Sequence, residues 1–392
     1  MALFASPQWT SAQRALLTTL ALFVRARRDL PWEKEDASLL HHLSSPDFSW
    51  DEYVAFARRH RVVPMVFEVL KTRSTARISP AILHELRDES RRGLLHAEGS
   101  FQRLKSLSQS LKREGIVHAA YKGPALSLQA YGDVGLRTFG DLDLFVPRAE
   151  LDRVVAWAKR EQYTLPEWDC GLADRGWLLA HLHHVSAYRK SAFSDAHLEL
   201  HWRALPPMSR PGAPTIDAWL EAPLDSVDGV PVLPWPRTFA ANAEHHAKHG
   251  WSRLMLLVDC AVRPLGPGEM TTAVDDALGA RVAEATRDLA EALTNDALYT
   301  DAPALLQRTW LAEDPYQFEV GGSYLDALDS SGAWQRRRCR FQAAWAVVNR
   351  KEAIYAVARQ AYLEANVAAG RVFGPRPNSE SPVLKRFREL FR

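Results

Sequence analysis

The stretch Tyr121–Val146, YKGPALSLQAYGDVGLRTFGDLDLFV, carries the two patterns that decide the fold. An apolar run from Ile116 ends at the Lys122-Gly123 turn, and an Asp-x-Asp pair lies inside a second apolar run. Short apolar runs bounded by glycine or proline predict buried strands. Pro124 suits the first turn of a helix. We therefore predict a strand, a turn, a short helix, a loop and a second strand over this stretch.

Strand and helix patterns alternate on both sides of the stretch. Two further strands are predicted, His184–Tyr188 and Ala196–Trp202. In the second of these, polar and apolar residues alternate, so His197, Glu199 and His201 share one face. Residues 91–205 therefore predict a small unit in which strands and helices alternate.

The segments outside this unit have mostly helical patterns. The chain is predicted to consist of an N-terminal helical region (1–90), the strand-containing core (91–205), a proline-rich connection (206–237) and a C-terminal helical region (238–392). Within the connection, Asp228-Gly229 predicts a hairpin turn. Residues 263–392 carry no motif that assigns them a function.

The composition is that of a globular protein, with 47% hydrophobic and 24% charged residues in a chain of 392. A formal net charge of +2, without a basic stripe, argues against nucleic-acid binding. Cys170, Cys260 and Cys339 form no CxxC pair, which favours a reducing, cytoplasmic location. The apolar run Ala15–Val24 is too short to span a bilayer, so we expect an ordinary N-terminal helix and no membrane contact.

Asp141 and Asp143 are the first candidate site residues. They are two positions apart on a predicted strand, so both side chains are expected on the same face. Two like charges at that distance repel unless a cation lies between them, and hard cations such as Mg²⁺ favour carboxylate oxygen. Glu199 could be a third ligand if its strand is a neighbour of the first. The alternative is a solvated acidic surface, which the flanking apolar residues make less favourable.

The Lys122-Gly123 turn is the second candidate feature. A glycine turn between a strand and a helix lets backbone N–H groups approach a phosphate, and the helix N-terminus favours negative charge. A lysine there supplies a point charge for a phosphate. The alternative is an exposed turn lysine beside a glycine that serves only the turn.

The HxExH pattern of His197, Glu199 and His201 allows two interpretations. Imidazole and carboxylate groups together are ligands that Zn²⁺ accepts. One strand rarely supplies three ligands to a tetrahedral ion, however, because alternate side chains lie far apart. We therefore favour Glu199 as a metal ligand, with His201 contacting a ligand or the substrate.

Other histidines are ambiguous. His245 and His249 are four apart on a predicted helix, a spacing that allows metal binding, although packing between elements is the simpler explanation. His181, His183 and His184 precede a predicted strand and could line a cleft or lie in a loop.

The spacing KG…YGDVGLRTFGDLDLFV resembles the nucleotidyltransferase superfamily that includes DNA polymerase beta. More narrowly, it is similar to bacterial proteins called uncharacterised nucleotidyltransferase-like proteins. The residues that match this group position by position are Tyr121, Lys122, Gly123, Tyr131, Arg137, Asp141 and Asp143. The segments Ser49–Leu70, His197–Trp202 and His245–Cys260 also resemble it, so the similarity covers residues 49 to 262.

The resemblance implies an α+β or α/β fold, in which a small mixed-sheet nucleotidyltransferase core is flanked by N- and C-terminal helical regions. It implies Mg²⁺ or Mn²⁺ as cofactor. The residues it assigns are Asp141, Asp143 and Glu199 as catalytic metal ligands, Lys122, Gly123 and Arg137 as donor-binding residues, and Tyr121, His201 and His249 as substrate contacts. For Arg137, a structural salt bridge is an equal alternative to orienting Asp141 or binding donor phosphate.

The implied activity is transfer of a nucleotidyl group from a nucleoside triphosphate to a hydroxyl of a small molecule, sugar or peptide. One departure from the superfamily pattern affects the donor: Pro124 follows Gly123 and has no N–H to offer a phosphate. Two alternatives therefore remain. The same site could transfer another phosphate-linked group, such as a sugar, in a tailoring pathway, or the chain could be a binding protein with a degenerate site.

Overall fold

A computed structural model of the chain describes residues 8–72, 78–165, 179, 182–190, 195–204, 216–248, 251, 253–266, 268–270 and 277–298. The predicted donor- and metal-binding residues fall within these ranges. His249 lies outside them, as do His181, Cys170 and most of the segment 263–392 for which the sequence suggested no role.

A mixed sheet forms the centre of the described fold. Its six strands are β1 (Ala119–Tyr121), β2 (Leu142–Phe145), β3 (His184–Lys190), β4 (Asp195–His201), β5 (Asp225–Val227) and β6 (Val230–Val232). Their order across the sheet is β3-β4-β2-β1-β6-β5. The pairs β2–β4 and β1–β6 are parallel, and the other neighbours are antiparallel. The predicted mixed-sheet α+β fold is therefore confirmed.

Helices precede, interrupt and follow the sheet. Those that the structure describes are α1 (Ser11–Arg27), α2 (Glu33–Leu43), α3 (Trp50–Arg59), α4 (Val63–Thr72), α5 (Pro80–Arg113), α6 (Gly123–Tyr131), α7 (Leu151–Arg160), α8 (Asp217–Glu221), α9 (Trp235–Lys248), α10 (Leu254–Ala261) and α11 (Ala277–Thr294). None of these described helices is long and apolar enough to cross a membrane.

One face of the sheet packs on α5 and α7. Leu198, Leu200 and Trp202 are buried on that face, as the alternation in β4 predicts. They join one apolar cluster with Leu107 of α5 and Trp157 of α7. The opposite face of β4 is thereby left to its polar residues.

β1 is shorter than predicted because Ile116, the first residue of the predicted strand, takes part in the C-terminal cap of α5. The predicted strand began at Ile116, whereas β1 begins at Ala119. Gly115 has a φ of +65°, and the Ile116 N–H donates to the Leu111 carbonyl at 3.0 Å. This left-handed glycine ends α5 in the manner typical of helix C-termini, so the chain turns before it can join the sheet.

The predicted hairpin is present at the far edge of the sheet. Asp228 and Gly229 have φ values of +47° and +82°, the left-handed conformation that a two-residue hairpin turn requires. They join β5 to β6, and β6 pairs in parallel with β1. The hairpin thus extends the sheet next to the strand that leads into Lys122.

The N-terminal and C-terminal helices share one core. Leu16 and Leu20 of α1 belong to the same buried cluster as Leu257 of α10 and Leu293 of α11. The division of the chain into four segments stays a prediction. What the packing adds is that the helical regions before and after the sheet, far apart in sequence, stabilise each other.

A half-buried carboxylate lies at this junction. Asp296, just after α11, accepts hydrogen bonds from Thr18 of α1 at 3.0 Å and from Ser38 of α2 at 3.1 Å. Burial raises the pKa of Asp296 from 3.8 to about 6. The folded protein therefore binds more protons than the unfolded chain between about pH 4 and pH 6, and stability falls as the pH rises through that window.

Replacing this carboxylate with an amide tests the linkage. We expect Asp296→Asn to increase the free energy of unfolding at about pH 7.5, by at most about 3 kcal/mol for a shift of two pKa units, because the amide carries no charge to bury. The gain should shrink towards pH 4. Urea unfolding at several pH values measures it, with Asp288→Asn as an exposed control on α11. An equal effect of Asp296→Asn at every pH would contradict the prediction.

Candidate functional site

The candidate site lies on the face of the sheet that does not pack on α5 and α7. In the parallel pair β2–β4, Asp143 is directly opposite Glu199 and Phe145 is opposite His201. In the antiparallel pair β1–β2, Tyr121 is opposite Asp143. Residues paired across neighbouring strands point to the same side of a sheet. The adjacency of strands that a joint role of Asp143 and Glu199 requires is therefore present.

Asp141 lies just before this sheet rather than inside a strand. We predicted a strand from Asp141, whereas β2 begins at Leu142. The reason is the neighbouring turn. A Cβ atom added to Gly123, which has a φ of +49°, would lie 3.4 Å from the Asp141 carbonyl oxygen. The β1–β2 register places Gly123 opposite Asp141, and Gly123 already begins α6, so pairing with β1 ends before Asp141.

His201 connects the two paired carboxylates. Its Nε2 atom lies 2.9 Å from Asp143 Oδ1 and 3.0 Å from Glu199 Oε2. Burial alone would lower the pKa of His201, but the hydrogen bonds to the two carboxylates raise it above its ordinary value. His201 therefore offsets part of the negative charge that β2 and β4 bring together.

Lys122 offsets a further part of this negative charge. Its Nζ atom lies 3.3 Å from Asp143 Oδ1 and 4.6 Å from the centre of the Tyr121 ring. Burial would lower the pKa of Lys122, but the nearby carboxylates, Asp143 foremost, raise it above its ordinary value. The lysine is a largely buried cation whose side chain is only 11% exposed, so the interpretation as an exposed turn lysine is wrong.

The backbone at Lys122 is strained. Its φ of 56° and ψ of −149° lie close to a region that is otherwise almost restricted to glycine. Such a conformation costs of order 1–3 kcal/mol and persists only where surrounding contacts fix it. Here those contacts are the ion pair with Asp143 and the packing of Gly123 against the entry to β2.

The three carboxyl groups differ in how readily they ionise. Burial would raise the pKa of Asp143, yet Lys122 and the His201 hydrogen bond lower it below its usual value. The pKa of Glu199 also lies well below its usual range, because His184 and His201 outweigh the effect of burial. Asp141 behaves differently: burial, then the charges of Asp143 and Glu199, raise its pKa to about 6.

Two sets of potential metal ligands share Glu199. The ligand atoms of Asp141, His197 and Glu199 lie within 4.8 Å of one another, and so do those of Asp143, Glu199 and His201. The two aspartates thus fall in different sets. His197 and His201 also fall in different sets, as expected for alternate residues of one strand. The arrangement provides two neighbouring places where carboxylate oxygens could hold a divalent cation.

A third set consists of histidines only. His183, His184 and His201 each offer a ring nitrogen, and these nitrogens lie within 4.8 Å of one another. His184 is directly opposite His201 in the β3–β4 pair. The sequence suggested that His183 and His184 line a cleft or lie in a loop, and it gave no sign of their contact with His201. That contact depends on the antiparallel register of β3 and β4.

Tyr121 is anchored to helix α9. Its hydroxyl donates to the Ala241 carbonyl of α9 at 2.9 Å, and its ring stacks on Phe145 at 4.2 Å between centroids. The ring also lies under Lys122. With its hydroxyl in use and its side chain 3% exposed, Tyr121 is in a position to support Lys122. Its contact with substrate stays a prediction.

Arg137 forms a buried ion pair with Asp259 of α10. Its Nε donates to Asp259 Oδ2 at 3.0 Å, and the Tyr131 hydroxyl donates to Asp259 Oδ1 at 2.5 Å. Burial raises the pKa of Asp259 above its usual value. The structural salt bridge is therefore the contact that the structure contains, whereas the proposed phosphate contact of Arg137 stays a prediction. No sequence signal pairs Arg137 with a residue 122 positions later.

A comparison with protein-family models places these residues in context. The model described as "Uncharacterised nucleotidyltransferase" matches residues 46–263, which is more than half of the chain. The matched range begins before α3 and ends just after α10, so it includes every site residue described above. No curated protein matches the chain.

Paired substitutions at Arg137 and Asp259 test whether this ion pair is structural. Removing one partner leaves a buried charge without its counter-charge, so we expect Arg137→Met and Asp259→Asn each to reduce the free energy of unfolding by about 3–5 kcal/mol. The double variant carries neither charge, and its asparagine can still accept from Tyr131. Its loss should therefore be clearly smaller than the sum of the two single losses.

Urea unfolding of the four proteins gives the coupling directly. Strictly additive losses would contradict the structural role. Donor binding by the double variant then addresses the other interpretation: a folded double variant that binds donor normally argues against a phosphate contact by Arg137, and one that binds it more weakly supports that contact.

Proposed function

This chain belongs to the uncharacterised nucleotidyltransferase family, and we propose that it transfers a nucleotidyl group from a nucleoside triphosphate to a hydroxyl acceptor, releasing pyrophosphate. One observation carries the proposal. Asp143 and Glu199 are opposite each other on adjacent parallel strands, with Lys122 beside them and Asp141 at the entry to β2. Three carboxyl groups gathered beside two cationic side chains, Lys122 and His201, leave a negative charge that a divalent ion would offset.

The residues present fit a divalent cation with a preference for oxygen. Asp141, Asp143 and Glu199 supply carboxylate oxygens, and the two ligand sets that share Glu199 could hold two ions. This is the chemistry that suits Mg²⁺ or Mn²⁺. Such ions, when bound, lower the pKa of an attacking hydroxyl and neutralise the charge of the leaving phosphates.

Lys122 is the residue best placed to bind the phosphates of the donor. It is held as a cation, and its ammonium group already contacts Asp143 at the edge of the carboxylate cluster. A lysine binds phosphate as a point charge, without a fixed geometry. Gly123 allows the chain to turn closely at this point, although Pro124 removes one N–H that a phosphate could have used.

In the proposed step, the acceptor oxygen forms a bond to the α-phosphorus of the donor. The bond between the α-phosphorus and the bridging oxygen breaks, and that oxygen leaves with the electron pair as part of pyrophosphate. The proton of the acceptor hydroxyl passes to a site carboxylate or to water. Lys122 offsets charge on the donor phosphates, and His201 keeps the carboxylates of Asp143 and Glu199 oriented.

The acceptor is proposed as a small molecule, a sugar or a peptide. A second candidate is supported by Pro124: because the turn offers fewer N–H groups than a glycine-rich turn, the donor could be a nucleotide-sugar from which the same site transfers the sugar. A binding protein with a degenerate site is disfavoured by the retention of Asp141, Asp143 and Glu199, which belong to two ligand sets that share Glu199.

Removing one carboxylate charge tests the proposed chemistry. We expect Asp143→Asn and Glu199→Gln each to reduce turnover by about 100-fold or more, the usual effect of removing a group that stabilises charge in a transition state. Asp225→Asn, at an exposed strand position on the opposite edge of the sheet, is the matched control and should retain activity. The assay combines the protein with Mg²⁺, each labelled nucleoside triphosphate and a panel of hydroxyl acceptors, and it measures pyrophosphate and labelled product.

The same assay separates the alternatives. Product formed from a nucleotide-sugar, with release of the nucleotide, would select sugar transfer. Donor binding without turnover under any condition would favour the binding protein. Turnover that survives both Asp143→Asn and Glu199→Gln would refute the proposed site.

A further inference from the structure

We propose that His183, His184 and His201 bind one transition-metal ion of the Zn²⁺ class, at a site beside the carboxylate cluster and distinct from it. The proposed ligand atoms are His183 Nε2, His184 Nδ1 and His201 Nδ1. This inference goes beyond nucleotidyl transfer and does not depend on the identity of donor or acceptor.

The spacing of two histidines is the first support. His183 Nε2 and His184 Nδ1 are 3.0 Å apart, and their rings are nearly perpendicular at 79°. Two nitrogens bound to one tetrahedral zinc ion at 2.0–2.1 Å lie about 3.3 Å apart. An ion could therefore replace the proton between these two nitrogens with a movement of only a few tenths of an ångström.

The second support is an unused nitrogen on the third histidine. His201 Nδ1 is buried and has no hydrogen-bond partner among the residues that the structure describes. A buried polar nitrogen without a partner is costly. The ring lies 4.7 Å from that of His184 and 5.4 Å from that of His183, measured between centroids. A metal ion bound by Nδ1 would give this nitrogen the partner that the surrounding side chains do not.

The orientation of His201 favours this use of Nδ1. Its Nε2 atom faces the carboxylates of Asp143 and Glu199 at 2.9 and 3.0 Å. Histidines that bind metals usually donate their other ring N–H to a carboxylate, which fixes the tautomer and makes the ligating nitrogen more basic. Metal binding at Nδ1 would displace the proton that this nitrogen carries in the cationic ring, and the proton on Nε2 would stay with the two carboxylates.

His184 shows the same arrangement. Its Nδ1 atom faces His183, whereas its Nε2 atom lies 3.6 Å from Glu199 Oε1. Glu199 thus faces the outer nitrogens of both His184 and His201. The sheet fixes this geometry, because His184 and His201 are paired across β3 and β4, and Glu199 is two residues from His201 on the same strand.

The type of ligand decides the type of ion. Three imidazole nitrogens suit Zn²⁺ and related transition metals, whereas Mg²⁺ prefers oxygen. Three protein ligands also leave a fourth position for water or a substrate oxygen, as in catalytic zinc sites. The face of the sheet would then carry nitrogen ligands at β3 and β4 and oxygen ligands at β2 and β4, with Glu199 between them.

Cobalt binding to the full-length, metal-free protein tests the proposal without an activity assay. Co²⁺ substitutes for Zn²⁺ and absorbs visible light far more strongly in four- or five-coordinate sites than in water. We expect an absorption band that saturates at about one ion per chain, the stoichiometry of a single three-histidine site. Added Zn²⁺ should abolish the band, and excess Mg²⁺ should not.

Variants assign the band to these histidines. His184→Ala removes a half-buried ligand and should weaken Co²⁺ binding by at least about 100-fold, the upper end of the effect seen when only a supporting partner of a ligand is removed. Asp141→Asn should leave the band unchanged, because Asp141 lies outside the histidine set. His84→Ala is the matched control, since His84 lies on α5 and its side chain is 63% exposed.

Circular dichroism and thermal unfolding verify that each variant is folded. If His184→Ala does not fold, His183→Gln provides a second variant in which one ligand is removed. Absence of a strong band, a band unaffected by either histidine variant, or displacement by Mg²⁺ as effective as by Zn²⁺ would overturn the proposal. Because Co²⁺ binding is read without a donor, its failure leaves the proposed nucleotidyl transfer intact, and failure of that transfer leaves the metal site intact.

Discussion

The parallel pairing of β2 with β4 places Asp143 directly beside Glu199, and the rest of the site depends on this pair of negative charges. Because two neighbouring carboxylates in a buried setting repel, the surroundings must provide positive charge. Lys122 and His201 provide it, one from the turn after β1 and the other from the end of β4. Both contact Asp143 Oδ1, which makes this oxygen the centre of the network.

The need for positive charge beside Asp143 also explains the unusual backbone conformation at Lys122. Lys122 adopts a backbone conformation that costs of order 1–3 kcal/mol, and it thereby reaches Asp143 from above the Tyr121 ring. Tyr121 is in turn held by the Ala241 carbonyl of α9. The helical layer that follows the sheet therefore supports the cation, and the cation stabilises the carboxylates. The backbone strain at Lys122 is offset by contacts from three parts of the chain: Tyr121 of β1, Asp143 of β2 and, through Tyr121, helix α9.

A second buried network holds the loop between β1 and β2 without taking part in the carboxylate cluster. Arg137 and Tyr131 both bind Asp259 of α10, so the segment that leads towards Asp141 is anchored to the C-terminal helices. These helices also share a core with α1. The sheet alone thus does not explain the position of Asp141, because the connection that carries it is held by residues more than a hundred positions away.

The sequence by itself determined the order of elements around the Lys122-Gly123 turn, the alternation that places Glu199 and His201 on one face, and the membership in a nucleotidyltransferase family. The first two features are local, since they follow from apolar periodicity and from glycine and proline at fixed positions. The family follows from the resemblance of the motifs and from the match over residues 46–263. The tertiary structure decided which strands are neighbours, and hence that Asp143 faces Glu199, that Arg137 pairs with Asp259 and that His184 meets His201. Such contacts depend on strand register and helix packing between residues distant in sequence, and no local pattern encodes either of them.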